Sequence, residues 1–220
     1  MKEISSNEPA QKIAYWADRL RDLAALGLYF GDNIYERERC RELQTISLEM
    51  MALATATDLE SLEPLRATVF SRPTPAVVVD TAVIDETGRI LLIRRADNGK
   101  WAMPGGALEV GETAVEGAVR ETLEETGVHC QVTAMIGVFD SRLCGTKTAH
   151  HLYHFTFLAA PLSTDGFGNG SHKQEILDLA WFAEKGVPEE MDPGHVTRIP
   201  EAYRVWHGDT RPYFDQAPPK

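Results

Sequence analysis

In the N-terminal third of the chain, apolar residues fall at helical spacing. Ile13, Trp16, Leu20, Leu23 and Ala24 recur at three- and four-residue steps, which predicts an amphipathic helix, with Gly27 as its natural stop. A second stripe runs Leu43, Ile46, Met50, Leu53. Two such helices joined by a short turn make an αα-hairpin. A hairpin this small does not bury both apolar stripes alone, so it is expected to pack on the rest of the chain or on a second subunit. The pattern breaks near Arg72-Pro73-Thr74-Pro75, where prolines stiffen the backbone and remove donors. The expected division is therefore a helical extension over residues 1–72 and a second domain over 73–220.

Beyond the break the period shortens. Ala76-Val77-Val78-Val79 leads into Thr81-Ala82-Val83-Ile84, rich in β-branched residues, and Glu86-Thr87-Gly88 reads as a turn into the apolar run Ile90 to Ile93. Val132 to Phe139, His151 to Leu158 and Leu177 to Phe182 read as further strands. One marked helix lies between the early and late strands, Thr113 to Thr126. Thr113 and Glu116 form a capping box and Gly127 supplies a left-handed stop. Val196 to Trp206 reads as a closing helix weakened by Pro200. Strands on both sides of a central helix predict an α+β or α/β sandwich.

Composition narrows the classes. Hydrophobic residues make up 43% of the 220, enough for a real core. The formal charge of −11 disfavours general nucleic-acid binding and repels any phosphate-bearing small molecule, so such a substrate requires local positive charge, most simply a divalent metal. Three scattered cysteines, Cys40, Cys130 and Cys144, read as reduced packing residues of a cytoplasmic protein rather than a zinc site. The N-terminal sequence lacks the order of a signal peptide, and no apolar run is long enough to span a membrane.

The chemistry is concentrated on the central helix. With Glu121 at zero and ~100° per residue, Glu124 falls near −60° and Glu125 near +40°, an arc of about 100°. Val115, Val119 and Leu123 fall between roughly 120° and 200°, and form the expected buried face. Three carboxylates so close repel one another, and Mg²⁺ or Mn²⁺ relieves the repulsion with hard oxygen ligands. An acidic helix face is by itself commonly just a solvated one. Its surroundings shift the reading: Pro104-Gly105-Gly106 lies upstream with an unhindered backbone carbonyl, Glu112 adds an acid at the helix entrance, and Arg120 stands ready to pair with the acids. Gly117 costs about 1 kcal/mol against alanine inside a helix, which points to close approach of another segment.

From Gly106 to Val128 the sequence resembles the Nudix box of the Nudix hydrolase family, on Gly106, Glu112, Arg120, Glu121, Glu124, Glu125, Gly127 and Val128 at the family's spacing; Thr122 replaces the usual aliphatic residue. The resemblance implies an α+β fold, a mixed sheet sandwiched between helices. It implies metal binding by Glu121, Glu124, Glu125 and the Gly106 carbonyl, support from Glu112 and Arg120, and hydrolysis of a diphosphate linkage. Glu121 is one candidate general base, and Glu175, in a late loop whose acids serve that role in some members, is the other. Trp16-Ala17-Asp18-Arg19-Leu20 and Tyr35-Glu36-Arg37 resemble the helical extension of a bacterial group, CDP-choline pyrophosphatase-like, that hydrolyses nucleoside diphosphates linked to a second moiety. In that group the extension helps to build a homodimer. ADP-ribose hydrolases of the superfamily often carry a proline shortly after the box; Arg142-Leu143-Cys144-Gly145 has none, which lowers the weight of ADP-ribose.

Other residues have plainer explanations. His150, His151 and His154 look like a metal cluster, but His150 and His154 stand two pleats apart on a strand. Arg94, Arg95, Arg142 and Lys147 suit phosphate, yet surface charge is the commoner role. Gly166, Gly168 and Gly170 mark a mobile loop, either a lid or a long connection. The rival functions are a non-catalytic Nudix-fold nucleotide sensor, which usually lacks box acids that are all present here, and a hydrolase of RNA ends, which needs a basic groove.

Overall fold

The structure, a computed structural model, describes residues 9–71, 76–145, 152–172 and 174–216. The chain separates into two compact units: residues 1–74 with 109–111, and residues 75–108 with 112–220. The proline-rich break at 72–75 lies outside the described residues.

In the first unit, α1 (Pro9–Phe30) and α2 (Ile34–Thr55) form the expected hairpin, followed by a single turn, α3 (Leu59–Leu62). Asn33 caps α2, its side chain accepting from the Glu36 N–H. Gly27 does not stop α1, which runs on to Phe30. A Cβ at Gly27 would lie 2.2 Å from Cys40 Sγ, so this glycine marks the close passage of the two helices. Small residues line that passage: Ala17, Ala24 and Ala25 on α1, Cys40, Ser47 and Ala52 on α2, all buried. Ser47 Oγ donates to the Ala17 carbonyl at 2.6 Å. Leu48 is the large apolar side chain fully buried with them, and several other large ones are left outside. Trp16, Leu23 and Leu53 are 44%, 58% and 71% exposed, so the stripes read from the sequence are only partly covered, with Ala24 buried and Ile13, Leu20, Leu43 and Met50 half-buried.

The second unit holds β1 (Ala76–Val83), β2 (Arg89–Arg95), β3 (Trp101–Ala102), β4 (Gly105–Ala107), α4 (Ala114–Thr126), β5 (His129–Asp140), β6 (Leu152–Ser163), β7 (Ile176–Ala183), α5 (Pro193–Trp206) and β8 (Tyr213–Phe214). Five strands form a mixed sheet in the order β4-β1-β6-β5-β8, and three form a second sheet, β3-β2-β7. β1 and β6 run parallel, with Asp80 opposite Thr156. The main core, including Leu92, Met103, Ile136, Phe139, Ile199 and Tyr203, joins both sheets to α5. A smaller cluster of Val79, Ala118 and Phe157 packs α4 on the larger sheet. The architecture is α+β, a mixed sheet with helices.

α5 begins earlier than expected, with Asp192 as its cap and Pro193 at its first position. It continues through Pro200. The acceptor left without an N–H four residues back belongs to Val196, an exposed residue, where solvent can replace the missing donor. The three cysteines are all buried. Among the described residues, no helix is long and apolar enough to cross a membrane.

Candidate active site

The local signals of α4 hold in full: both hydrogen bonds of the Thr113–Glu116 capping box are formed, and Gly127 is left-handed at φ 73°. The buried face differs from the expected one. Val115 is exposed and Val119 and Leu123 are only partly covered, whereas Gly117, Ala118, Glu121, Thr122 and Thr126 are buried. Helical periodicity identifies faces, but the sheet decides which one is covered. Here it covers the side carrying Glu121. Thr122, where an aliphatic residue is usual, fits this environment by donating its hydroxyl to the Ala118 carbonyl at 2.8 Å.

Arg120 gathers the acids. Its Nη1 lies 2.7 Å from Glu121 Oε1 and 3.0 Å from Glu124 Oε2. Its Nε and Nη2 form a two-pronged pair with Glu112 at 3.0 and 2.8 Å, and Nη2 also reaches the Ala107 carbonyl. One guanidinium thus ties the helix entrance, the helix face and the β4 loop together. Gly106 lies against the cluster: a Cβ there would stand 2.6 Å from the Glu121 carboxylate. The Gly105 N–H donates to Glu125 Oε2 at 2.8 Å. Burial pushes the Glu125 carboxyl up to about 8 in spite of that bond, and Glu121 and Glu175 add to the rise. Burial likewise raises Glu121, against the pull of Arg120.

These carboxylates are short of positive charge at neutral pH, and their donors are hard oxygens, so the set fits a divalent cation. Glu121, Glu124 and His172 can offer ligand atoms within 4.8 Å of one another. Nothing in the sequence distinguished His172. It comes from the glycine-rich loop, which the structure pins to the end of α4: the Gly168 N–H donates to the Thr126 carbonyl and the His172 N–H to that of Glu124, at 3.0 and 2.9 Å. The segment expected to be mobile is the C-terminal fastening of the acidic helix.

A cleft of about 840 Å³ is lined by Gly105, Gly106, Glu125 and Glu175 among others. Glu175 therefore shares a cavity with one box acid, Glu125. Of the arginines considered for phosphate, Arg95 lines this cleft but is paired with Asp97; Arg142 is paired with Asp140, and Arg94 reaches Glu190 and the Gly99 carbonyl. Lys147, His150 and His151 lie outside the described residues. His154 is buried beside Asp80, its Nδ1 2.9 Å from Oδ2, in a cluster with His195 and Arg198 that sequence reasoning missed. Two signals pointed to it: Asp80 interrupts a β-branched run, and His195, Arg198 and Ala202 share a helical face at steps of three and four.

The fold agrees with the comparisons to known proteins. The NUDIX domain family matches residues 74–202, and the family described as UDP-X-like, N-terminal oligomerisation domain matches residues 11–65. The chain belongs to the Nudix hydrolase family. It is 32% identical over 203 residues to YjhB of Bacillus subtilis (strain 168), covering 90% of this chain and 95% of that one. Over 70 residues it is 47% identical to an ADP-ribose pyrophosphatase of Methanocaldococcus jannaschii, covering 30% of this chain and 41% of that one. Among solved structures, a UDP-X diphosphatase aligns with a TM-score of 0.55 at 27% identity, over 90% of this chain and 96% of that one.

Proposed function

We propose that this enzyme hydrolyses the diphosphate linkage of a nucleoside diphosphate joined to a second moiety, with Mg²⁺ or Mn²⁺ held by Glu121, Glu124, Glu125 and the Gly106 carbonyl. The observation that carries the reading is the set of acids gathered by Arg120, next to a cleft that Gly106 and Glu125 line. A divalent cation bound there would neutralise diphosphate oxygens and acidify the attacking water. Arg120 and Glu112 hold the acids in register, and the Gly105 N–H fixes Glu125. Glu175 accepts the proton from water. Two features support it over Glu121: it lines the same cleft as Glu125, and Glu121 is already engaged by Arg120.

The relatives support UDP-linked and ADP-ribose-type substrates, and the second of these keeps ADP-ribose in range despite the missing proline. CDP-choline enters on the resemblance of the helical extension. The partly exposed apolar stripes of the hairpin and the match to an oligomerisation domain support a homodimer, with residues 1–72 as its dimerisation element and 73–220 as the hydrolase domain. The charge balance argues against nucleic acid as the main partner and the cysteine usage supports a cytoplasmic setting.

Incubating the full chain with a panel of nucleoside diphosphate derivatives and Mg²⁺ or Mn²⁺, and identifying products by mass, tests the reading. Metal-dependent release of a nucleoside monophosphate is expected. No turnover of any member with either metal would overturn it in favour of a nucleotide sensor.

A further inference from the structure

The cleft is also lined by Asp80, His154, His195 and Arg198, which no step above uses. Arg198 is 1% exposed and held at several points. Its Nε donates to the Gly194 carbonyl at 2.7 Å, and its Nη1 pairs with Asp80 Oδ2 and lies 2.5 Å from His154 Nδ1. Its Nη2 has no hydrogen-bond partner among the described residues. Nη2 is not among the buried side-chain atoms left without a partner, so it is open to solvent, where a substrate atom can take its free donors. His195 adds a second donor. The Met103 N–H donates to its Nδ1 at 3.2 Å, so Nε2 carries the ring proton, and burial, followed by the charge of Arg198, keeps the ring neutral. Nε2 stands 3.8 Å from Asp80 Oδ1, beyond hydrogen-bond reach.

The charge of the lining selects the acceptor. Arg198 is balanced by Asp80 and Arg95 by Asp97, while Glu175 and Asp192 also face the cleft. A further phosphate or carboxylate would meet no unspent cation there. An uncharged oxygen would fill both donors without adding charge.

We propose that Arg198 and His195 are specificity-determining residues, with Arg198 Nη2 and His195 Nε2 donating to an uncharged oxygen of the substrate, either a nucleobase carbonyl or a sugar hydroxyl. The inference rests on the reading of the cleft as the site for a nucleoside diphosphate derivative. Asp80 and His154 act as positioning residues that hold the guanidinium plane, and a locked donor discriminates more sharply than a free one because little side-chain freedom is lost on binding.

The test uses Arg198→Lys in the full chain, which keeps the charge beside Asp80 and removes the Nη2 pair, with His195→Asn as the second variant should the first not fold. One arm holds glucose and varies the nucleoside (UDP-, ADP- and GDP-glucose). The other holds UDP and varies the sugar (glucose, galactose, N-acetylglucosamine). KM should rise about tenfold for the best substrate, as for a lost hydrogen bond to a charged donor, with a smaller change in kcat. The wild-type preference should flatten in one arm. Flattening in the nucleoside arm identifies the base carbonyl, and flattening in the sugar arm a sugar hydroxyl. Calorimetric titration in EDTA with the nucleoside monophosphates and sugar phosphates should show the same loss of affinity without turnover. Unchanged preference in both arms would overturn the inference, whatever the affinities. Absence of turnover by the wild type would sink the functional reading instead, and the EDTA titrations would still decide the role of Arg198.

Discussion

The Gly105 N–H donates to Glu125 Oε2 at 2.8 Å, so the β4 loop grips an acid of α4 through its backbone. Burial pushes that acid up to about 8, and one N–H does not offset the loss of water. A cation does. Glu125→Gln keeps a carbonyl for the Gly105 N–H but carries no charge. It should fold normally, bind Mn²⁺ more weakly, and lose about a thousandfold in kcat, about 4 kcal/mol of barrier. Glu124→Gln should behave alike. Near wild-type turnover of either variant in saturating Mg²⁺ would show the metal site to be misassigned.

Glu175 and Glu121 separate by metal affinity. Glu175→Gln should lower kcat by about 10²–10⁴-fold, the range for a lost general base, with Mn²⁺ affinity barely changed, whereas Glu121→Gln should weaken Mn²⁺ binding as well. Profiles of kcat against pH, with Mn²⁺ titrations in parallel, distinguish the two. A Glu175→Gln variant that retains the wild-type profile would transfer the role to Glu121.

The ionic cluster makes stability depend on pH. Burial opposes ionisation of Asp80, but Arg198 and the two imidazoles outweigh it and hold the carboxyl below its ordinary 3.8. Burial holds His195 well below its ordinary 6.5. Both folded values are depressed, so the unfolded chain binds more protons than the folded one as pH falls, and stability is lost on acidification. The His195 contribution starts to fade below about 6.5 and that of Asp80 below about 3.8. Glu125, raised to about 8 from 4.5, contributes the opposite slope in the same window, so the test is a difference in thermal melts: between pH 8 and 5, His195→Asn should lose less Tm toward acid, or gain more, than the wild type. A slope of equal size in the variant would contradict the assignment.

Gly127 has φ 73°, and a Cβ there would meet the Gly166 carbonyl oxygen at 1.9 Å. Gly127→Ala combines left-handed strain with a backbone clash and should cost more than the roughly 1 kcal/mol of conformational strain alone. A Tm fall of several degrees is expected by calorimetry; an unchanged Tm would mean the loop does not pack there.

Leu23 and Leu53 are exposed on the hairpin. The double substitution Leu23→Glu and Leu53→Glu should convert a dimer to monomer by sedimentation, with α-helix content retained because neither residue lies in the hairpin interior. A dimer that persists would place the interface elsewhere. Deleting residues before Arg72 should likewise give monomer or insoluble protein.

The features legible in the sequence were those set by near neighbours. The capping box of Thr113 and Glu116, the Gly127 stop and the turn at Gly88 depend on a few adjacent residues, and all formed. Gly27 was misread because its reason is tertiary, the close passage of Cys40 on the neighbouring helix. The buried face of α4 was misread because Val115, Val119 and Leu123 are the more apolar set, yet the sheet covers the side where Gly117 and Ala118 allow close approach. The Asp80–Arg198 pair spans 118 residues, and no periodicity reports which carboxylate a distant arginine will meet.

The loop that ends α4 has a consequence for how such a protein can vary. It supplies amides to the Thr126 and Glu124 carbonyls, and Glu175 follows within the same connection. Its length is therefore not a free parameter, although much of it faces solvent. Adding or removing a residue between Gly168 and Glu175 would shift an acid in the cleft and unfasten the acidic helix in one step. Diversification of this enzyme should be tolerated at other surface loops long before it is tolerated here.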